Sequence, residues 1–239
     1  MNVRVWVILI LMSVYTWTSG FSQQRVTPIS GNVKVIGGSI HYEEIGAGPA
    51  VILIHGGQLD HRMWDGLVSV LKGSYRLNGL ILAGPGLRGF KSNDDDSMNV
   101  KEWETIEAAR DSGYVYATEL WLKNPYMSPA MEQPALRDRI RALALDNARN
   151  WLVNPLVERP LKPRAIDRLR DVSVPTLIII GDRDILRMQG IADTLARAIP
   201  HADKAVIHGA GHIVNMERPV EFNRIVSDFL ARIRQRGGP

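Results

Sequence analysis

Two residues that can move a proton together lie near the C-terminal ends of separate apolar runs. Asp184 follows residues 174–180 within a Gly-Asp-Arg-Asp turn, and His212 lies in a glycine-rich loop after residues 205–207. A carboxylate bound to one imidazole nitrogen fixes the tautomer, so the other nitrogen can act as a general base. The pattern predicts an acid–histidine pair, with Asp182 in the same turn as the alternative acid.

A glycine turn offers backbone groups to the same site. The continuous apolar run at 49–54 ends in the sequence His55-Gly56-Gly57-Gln58. Glycine lets a backbone bend and approach a ligand closely. We therefore expect N–H groups of this turn to point into a cavity.

The hydrophobic pattern predicts the elements that position these residues. Buried-strand runs occur at 49–54, 79–83, 174–180 and 205–207, and segments of helical periodicity alternate with them. Residues 32–36 and 39–44 predict a hairpin, and 90–171 a helical insertion without strands. This order is typical of an α/β fold with a parallel sheet, whose sites lie at the carboxyl ends of the strands.

Three segments in this order resemble the α/β-hydrolase superfamily. VILIHGG with DHRMW resembles its oxyanion strand and first helix, PTLIIIGDRD its acid strand, and GAGHIVNMERPVEFNRIVSDFL its histidine loop and last helix. The resemblance covers most of residues 30–234 and implies a parallel-sheet α/β-hydrolase fold with a helical lid. It implies Asp184 as triad acid, His212 as triad histidine, and the N–H of Gly57 or Gln58 as an oxyanion donor.

The sequence departs from the family at the nucleophile. Neither G-x-S-x-G nor G-x-D-x-G occurs anywhere in the chain, so the nucleophile is unknown. Residues 77–90 resemble the strand that normally follows the elbow, which predicts that about 60 residues, two strand-and-helix units, are missing near Arg76 and Leu77. The alternative alignment treats 80–89 as an earlier strand. Both predict a sheet truncated at its centre, and hence a poorly stable chain.

After a predicted signal peptide (1–22), the resemblance divides the chain into an N-terminal core part (23–89), a lid (90–171) and a C-terminal core part (172–239). The lid tryptophans Trp103, Trp121 and Trp151 are candidates to line an apolar pocket, or else belong to the lid core. Too few residues then remain for a complete core.

Composition narrows the function further. The 239 residues contain no Cys, which excludes disulfides, thiol nucleophiles and Cys-based zinc sites. The net charge of +4 comes from scattered basic residues, so we expect no nucleic-acid partner. The apolar stretch at 5–17 is short for a bilayer span and predicts export through a cleaved leader, with a membrane anchor as the alternative.

Two motifs carry little weight in context. Gly84, Gly86 and Gly89 fit a dinucleotide-binding pattern, but an acidic loop follows them in place of a helix. His208 and His212 lack the helical setting of a zinc site, so we expect no metal and no cofactor. The sequence thus predicts a hydrolase of esters or related small apolar carbonyl compounds; a noncatalytic binding relative, or a remnant without function, is the alternative.

Overall fold

The computed structural model describes residues 29–35, 38–44, 53, 59, 61–71, 80–87, 89–91, 97–153 and 163–236. The chain divides into two units, residues 1–45 and 46–239. In the first, β1 (Ile29–Val35) pairs antiparallel with β2 (Gly38–Glu44), which confirms the predicted hairpin. The proposed leader at 1–22 lies outside the described residues, as does the strand predicted at 49–54 except for Leu53.

A parallel sheet forms the centre of the second unit. Its described strands are β3 (Leu80–Ala83), β4 (Thr176–Gly181) and β5 (Ala202–Ile207), in the order β3-β4-β5. Thr176 lies opposite Leu80 on one side and opposite Ala202 on the other. The parallel sheet expected from the sequence is confirmed. However, β5 begins before the apolar run at 205–207. Its first residues are exposed or partly exposed and include polar side chains, so the apolar pattern did not indicate them.

Helices cover both faces of β4, whose residues are all buried. Leu177 and Ile179 face a cluster that includes residues of α1 (Asp65–Leu71) and α8 (Pro219–Arg236). Ile178 and Ile180 alternate with them and pack against α6 (Leu186–Ala198). Because successive side chains of a strand point to opposite faces, a continuous apolar run suits this doubly covered position.

The insertion between β3 and β4 is helical, as predicted, over the part of it that the structure describes. It contains α2 (Ser97–Ser112), α3 (Tyr114–Leu122), α4 (Ser128–Met131) and α5 (Pro134–Val153), with 3-10 turns at Pro125–Met127 and Ala165–Asp171. Residues of α3, α5 and the first of these turns form one apolar cluster with Ile213 and Met216, which follow β5. The insertion therefore packs directly on the loop that carries His212.

Two short elements were not expected from the sequence. A 3-10 turn at His61–Trp64 precedes α1, and α7 (Val214–Glu217) follows the histidine loop. Within the described ranges, no helix combines the length and apolar character needed to cross a bilayer.

Candidate active site

The structure brings Asp184 and His212 into direct contact. His212 Nδ1–H donates a hydrogen bond of 2.9 Å to Asp184 Oδ2, and the Asp184 side chain is fully buried. The second carboxylate oxygen, Oδ1, accepts the Ile185 backbone N–H at 2.8 Å. With Nδ1 engaged, Nε2 is the nitrogen left to exchange a proton with a reacting group.

Asp182, the alternative acid, has a different partner. It accepts hydrogen bonds from His208 Nδ1–H at 2.9 Å and from the Gly209 backbone N–H at 2.7 Å. The hydrogen bond from His208 lowers the pKa of Asp182 below its usual value. The His208 side chain is 85% exposed. The geometry thus selects Asp184 as the partner of His212, although a catalytic role for either residue stays a prediction.

Neighbouring strand ends create this contact. Because β4 and β5 run parallel, their carboxyl ends meet at one edge of the sheet. Backbone bonds continue past the strands: Asp182 N–H donates to Ile207 C=O at 3.2 Å, and Arg183 N–H to Ala210 C=O at 2.9 Å. The acid turn and the histidine loop are therefore held in a fixed register.

The end of β3 completes the floor of the site. Gly84 has a positive φ of 51°, and a Cβ at this position would lie 2.7 Å from the His212 carbonyl oxygen and 3.3 Å from Nδ1. Such an approach is too close for any side chain, and the backbone conformation also favours glycine. Close packing on His212 therefore accounts for this member of the glycine pattern without a dinucleotide.

The helical insertion covers one side of the histidine. The Tyr126 ring meets the imidazole edge-on, with 5.1 Å between ring centroids. Pro129 packs closely against Gly211: a Cβ added to Gly211 would lie 2.6 Å from the Cγ of Pro129. Trp121 is buried in the apolar cluster of the insertion, whereas the side chains of Trp103 and Trp151 lie outside the described residues.

A bidentate ion pair joins the turn at residues 181–184 to the helical insertion. Arg183 donates from Nη1 to Glu132 Oε2 and from Nη2 to Oε1, both at 2.8 Å. This hydrogen bonding lowers the pKa of Glu132 and raises that of Arg183. Planar matching of this kind fixes orientation as well as distance.

Glu217 is a site residue that sequence reasoning missed. Its buried carboxylate accepts the Gly211 N–H at 2.7 Å and the Ile213 N–H at 3.0 Å, one on each side of His212. Burial raises the pKa of this carboxyl above its usual value. The available signal was a glutamate that directly follows Met216, five residues after His212. The predicted oxyanion residues Gly57 and Gln58 lie outside the described residues.

A parallel sheet covered by helices defines an α/β protein, and Asp184 and His212 meet at the ends of two of its strands. No family model matches the chain. Over 87% of its length it superposes on a thermophilic esterase from Thermogutta terrifontis, covering 99% of that chain with a TM-score of 0.68 and 21% identity.

Sequence comparison gives related results. A pimeloyl-[acyl-carrier protein] methyl ester esterase from Nitrosomonas europaea is 22% identical, over 77% of this chain and 96% of that protein. The monoacylglycerol lipase ABHD6 of Rattus norvegicus is 40% identical over 68 residues, 28% of this chain and 20% of the lipase. The chain thus matches only a fifth of the lipase. The protein therefore has an α/β-hydrolase fold.

Proposed function

We propose that Asp184 and His212 are the acid and base of an ester-hydrolase site, and that this chain lacks the nucleophile needed for serine-type turnover. The observation that carries the proposal is the 2.9 Å hydrogen bond between a fully buried carboxylate and a partly exposed imidazole at adjoining strand ends. The esterases among the similar proteins support the substrate class.

In a complete site of this kind, a serine hydroxyl attacks the ester carbonyl. His212 Nε2 takes the hydroxyl proton and later gives it to the leaving alcohol, while Asp184 stabilises the imidazolium. Backbone N–H groups, for which Gly57 and Gln58 are our candidates, hold the negative oxygen. The insertion, packed on His212, would act as a lid that shapes an apolar pocket.

The nucleophile is the part that the sequence does not supply. Without the elbow motif, no serine is expected at the end of a strand facing His212. A triad enzyme deprived of its nucleophile retains an acceleration of about a thousandfold to ten-thousandfold over water, from the oxyanion hole and substrate binding. We therefore expect weak turnover at most.

The test compares the purified protein with His212→Ala. We expect no fluorophosphonate adduct by mass spectrometry, and nitrophenyl acetate hydrolysis within that residual range for both proteins. Stoichiometric labelling that His212→Ala or heating abolishes would contradict the missing nucleophile. If neither protein accelerates hydrolysis, saturable binding of an apolar ester measured by calorimetry would instead favour the noncatalytic relative.

A further inference from the structure

The loop that carries His212 is held by one buried carboxylate. The Gly211 and Ile213 N–H groups belong to the residues flanking the histidine, and both donate to Glu217, one to Oε2 and one to Oε1. A bidentate acceptor of this kind fixes the orientation of both peptide groups next to His212. We infer that Glu217 is a positioning residue that sets where the imidazole stands relative to Asp184.

The local fold makes this arrangement possible. The short helix α7 begins two residues after His212 and ends at Glu217, so the chain turns back and places the carboxylate beside the loop it has just left. Backbone bonds from Met216 N–H and Glu217 N–H to the Ile213 carbonyl close this turn, at 2.9 and 3.0 Å. The bracing group therefore lies within five residues of the histidine that it supports.

Burial makes Glu217 energetically important to the loop. The residue is 3% exposed, and a buried N–H group that loses its acceptor costs much more than an exposed one. Asp184, His212 and Arg183 are the charged or titratable neighbours that influence this carboxylate electrostatically. Removal of this carboxylate would therefore leave the buried Gly211 and Ile213 N–H groups without their acceptor.

The inference rests on the proposed function only in taking His212 as the base, and its test requires no turnover. The readout is the downfield proton resonance of the His212 Nδ1–H, which reports the hydrogen bond to Asp184. The variants are Glu217→Ala, which removes both acceptors, and Glu217→Gln, which keeps one acceptor oxygen and turns the other into a donor.

The controls separate positioning from general stability. Ile191→Val weakens the core on the α6 face of the sheet, away from the histidine loop, and Glu107→Gln removes an exposed carboxylate. We expect the Nδ1–H to exchange with water about tenfold faster in Glu217→Gln, and its resonance to be lost in Glu217→Ala. Both control variants should keep the Nδ1–H resonance, and its exchange with water should be as fast as in the wild type.

Two results would overturn the inference. One is a Glu217→Gln protein that is destabilised as Ile191→Val is but keeps the wild-type resonance and exchange rate, since Glu217 would then act only on stability. The other is the absence of the resonance from the unmodified protein, because no hydrogen bond would then exist for Glu217 to maintain. If Glu217→Ala does not fold, the Gln variant decides. Neither result depends on ester turnover, so failure of this inference can be distinguished from failure of the proposed function.

Discussion

At the scale of single residues, the site depends on close approach as much as on chemistry. Gly84 leaves room for His212 at the end of β3, because it has no Cβ to contact the His212 carbonyl oxygen and ring. A methyl group at this position would collide with the His212 carbonyl oxygen, which belongs to the backbone and cannot rotate away as a flexible side chain could. The glycine is thus part of the geometry that allows Asp184 and His212 to meet.

Gly84→Ala should therefore displace His212. Its Cβ would lie 2.7 Å from the His212 carbonyl oxygen, and the φ of 51° adds backbone strain. We expect the His212 Nδ1–H resonance to weaken or disappear and the unfolding free energy to fall by about 1–3 kcal/mol. Urea unfolding and proton NMR measure the two effects.

Gly86→Ala is the matched control, because it lies two residues further along the same loop and a Cβ there meets nothing within 4 Å. It should leave both the resonance and the stability close to wild type. Equal loss in the two variants would show that the loop, rather than the approach to His212, is sensitive to the extra methyl group.

Sequence reasoning identified Asp184 and His212 because each follows a buried run, and such runs end at one edge of a parallel sheet. It left Asp182 open, since two acids in one turn have equivalent spacing and only side-chain direction separates them. It missed Glu217 because the position of a glutamate after Met216 does not reveal that its carboxylate binds the backbone N–H groups of Gly211 and Ile213. Gly57 and Gln58 stay predictions outside the described residues.

At the scale of elements, the helical insertion and the sheet are joined by both apolar and ionic contacts. The insertion packs on Ile213 and Met216, while Glu132, between α4 and α5, binds Arg183 in the acid turn. The apolar contact is buried, but both partners of the ion pair are largely exposed. The ion pair should therefore determine local opening more than global stability.

Glu132→Gln should loosen this end of the insertion. We expect faster hydrogen–deuterium exchange in residues 128–140, measured by mass spectrometry, with little change in the unfolding midpoint. High salt should produce the same increase in the wild type by screening the exposed pair. Exchange in α6 serves as the internal reference.

A charge exchange tests whether the pair itself is responsible. The double variant Glu132→Arg with Arg183→Glu should recover part of the protection that either single variant loses, because opposite charges face each other again. Unchanged exchange in Glu132→Gln, at low salt, would mean that the apolar contact alone holds the insertion in place.

At the scale of the whole molecule, the position of β3 bears on the prediction that the centre of the sheet is missing. β3 pairs directly with β4, the acid strand, and the insertion connects the two. Strands consecutive in sequence are commonly neighbours, and this pairing agrees with the alignment in which residues 77–90 lead directly into the insertion. In that alignment, the two units predicted to be missing belong before β3, near Arg76 and Leu77.

Restoring those units provides the last prediction. A segment of about 60 residues, containing two strand-and-helix units with a G-x-S-x-G elbow, would be inserted between Arg76 and Leu77. Central strands of a parallel sheet are buried on both faces, so the insertion should cover apolar surface and raise the unfolding midpoint. It should also place a serine within reach of His212 Nε2 and create fluorophosphonate labelling.

Two controls assign that labelling to the restored site. It should disappear when the inserted serine is replaced by alanine and should fall steeply in Asp184→Asn, because the acid fixes the imidazole tautomer. The hypothesis of a missing centre would be wrong if the insertion left the midpoint unchanged or lower. A folded insertion protein that remains unlabelled would instead mean that Asp184 and His212 do not lie within reach of the inserted serine.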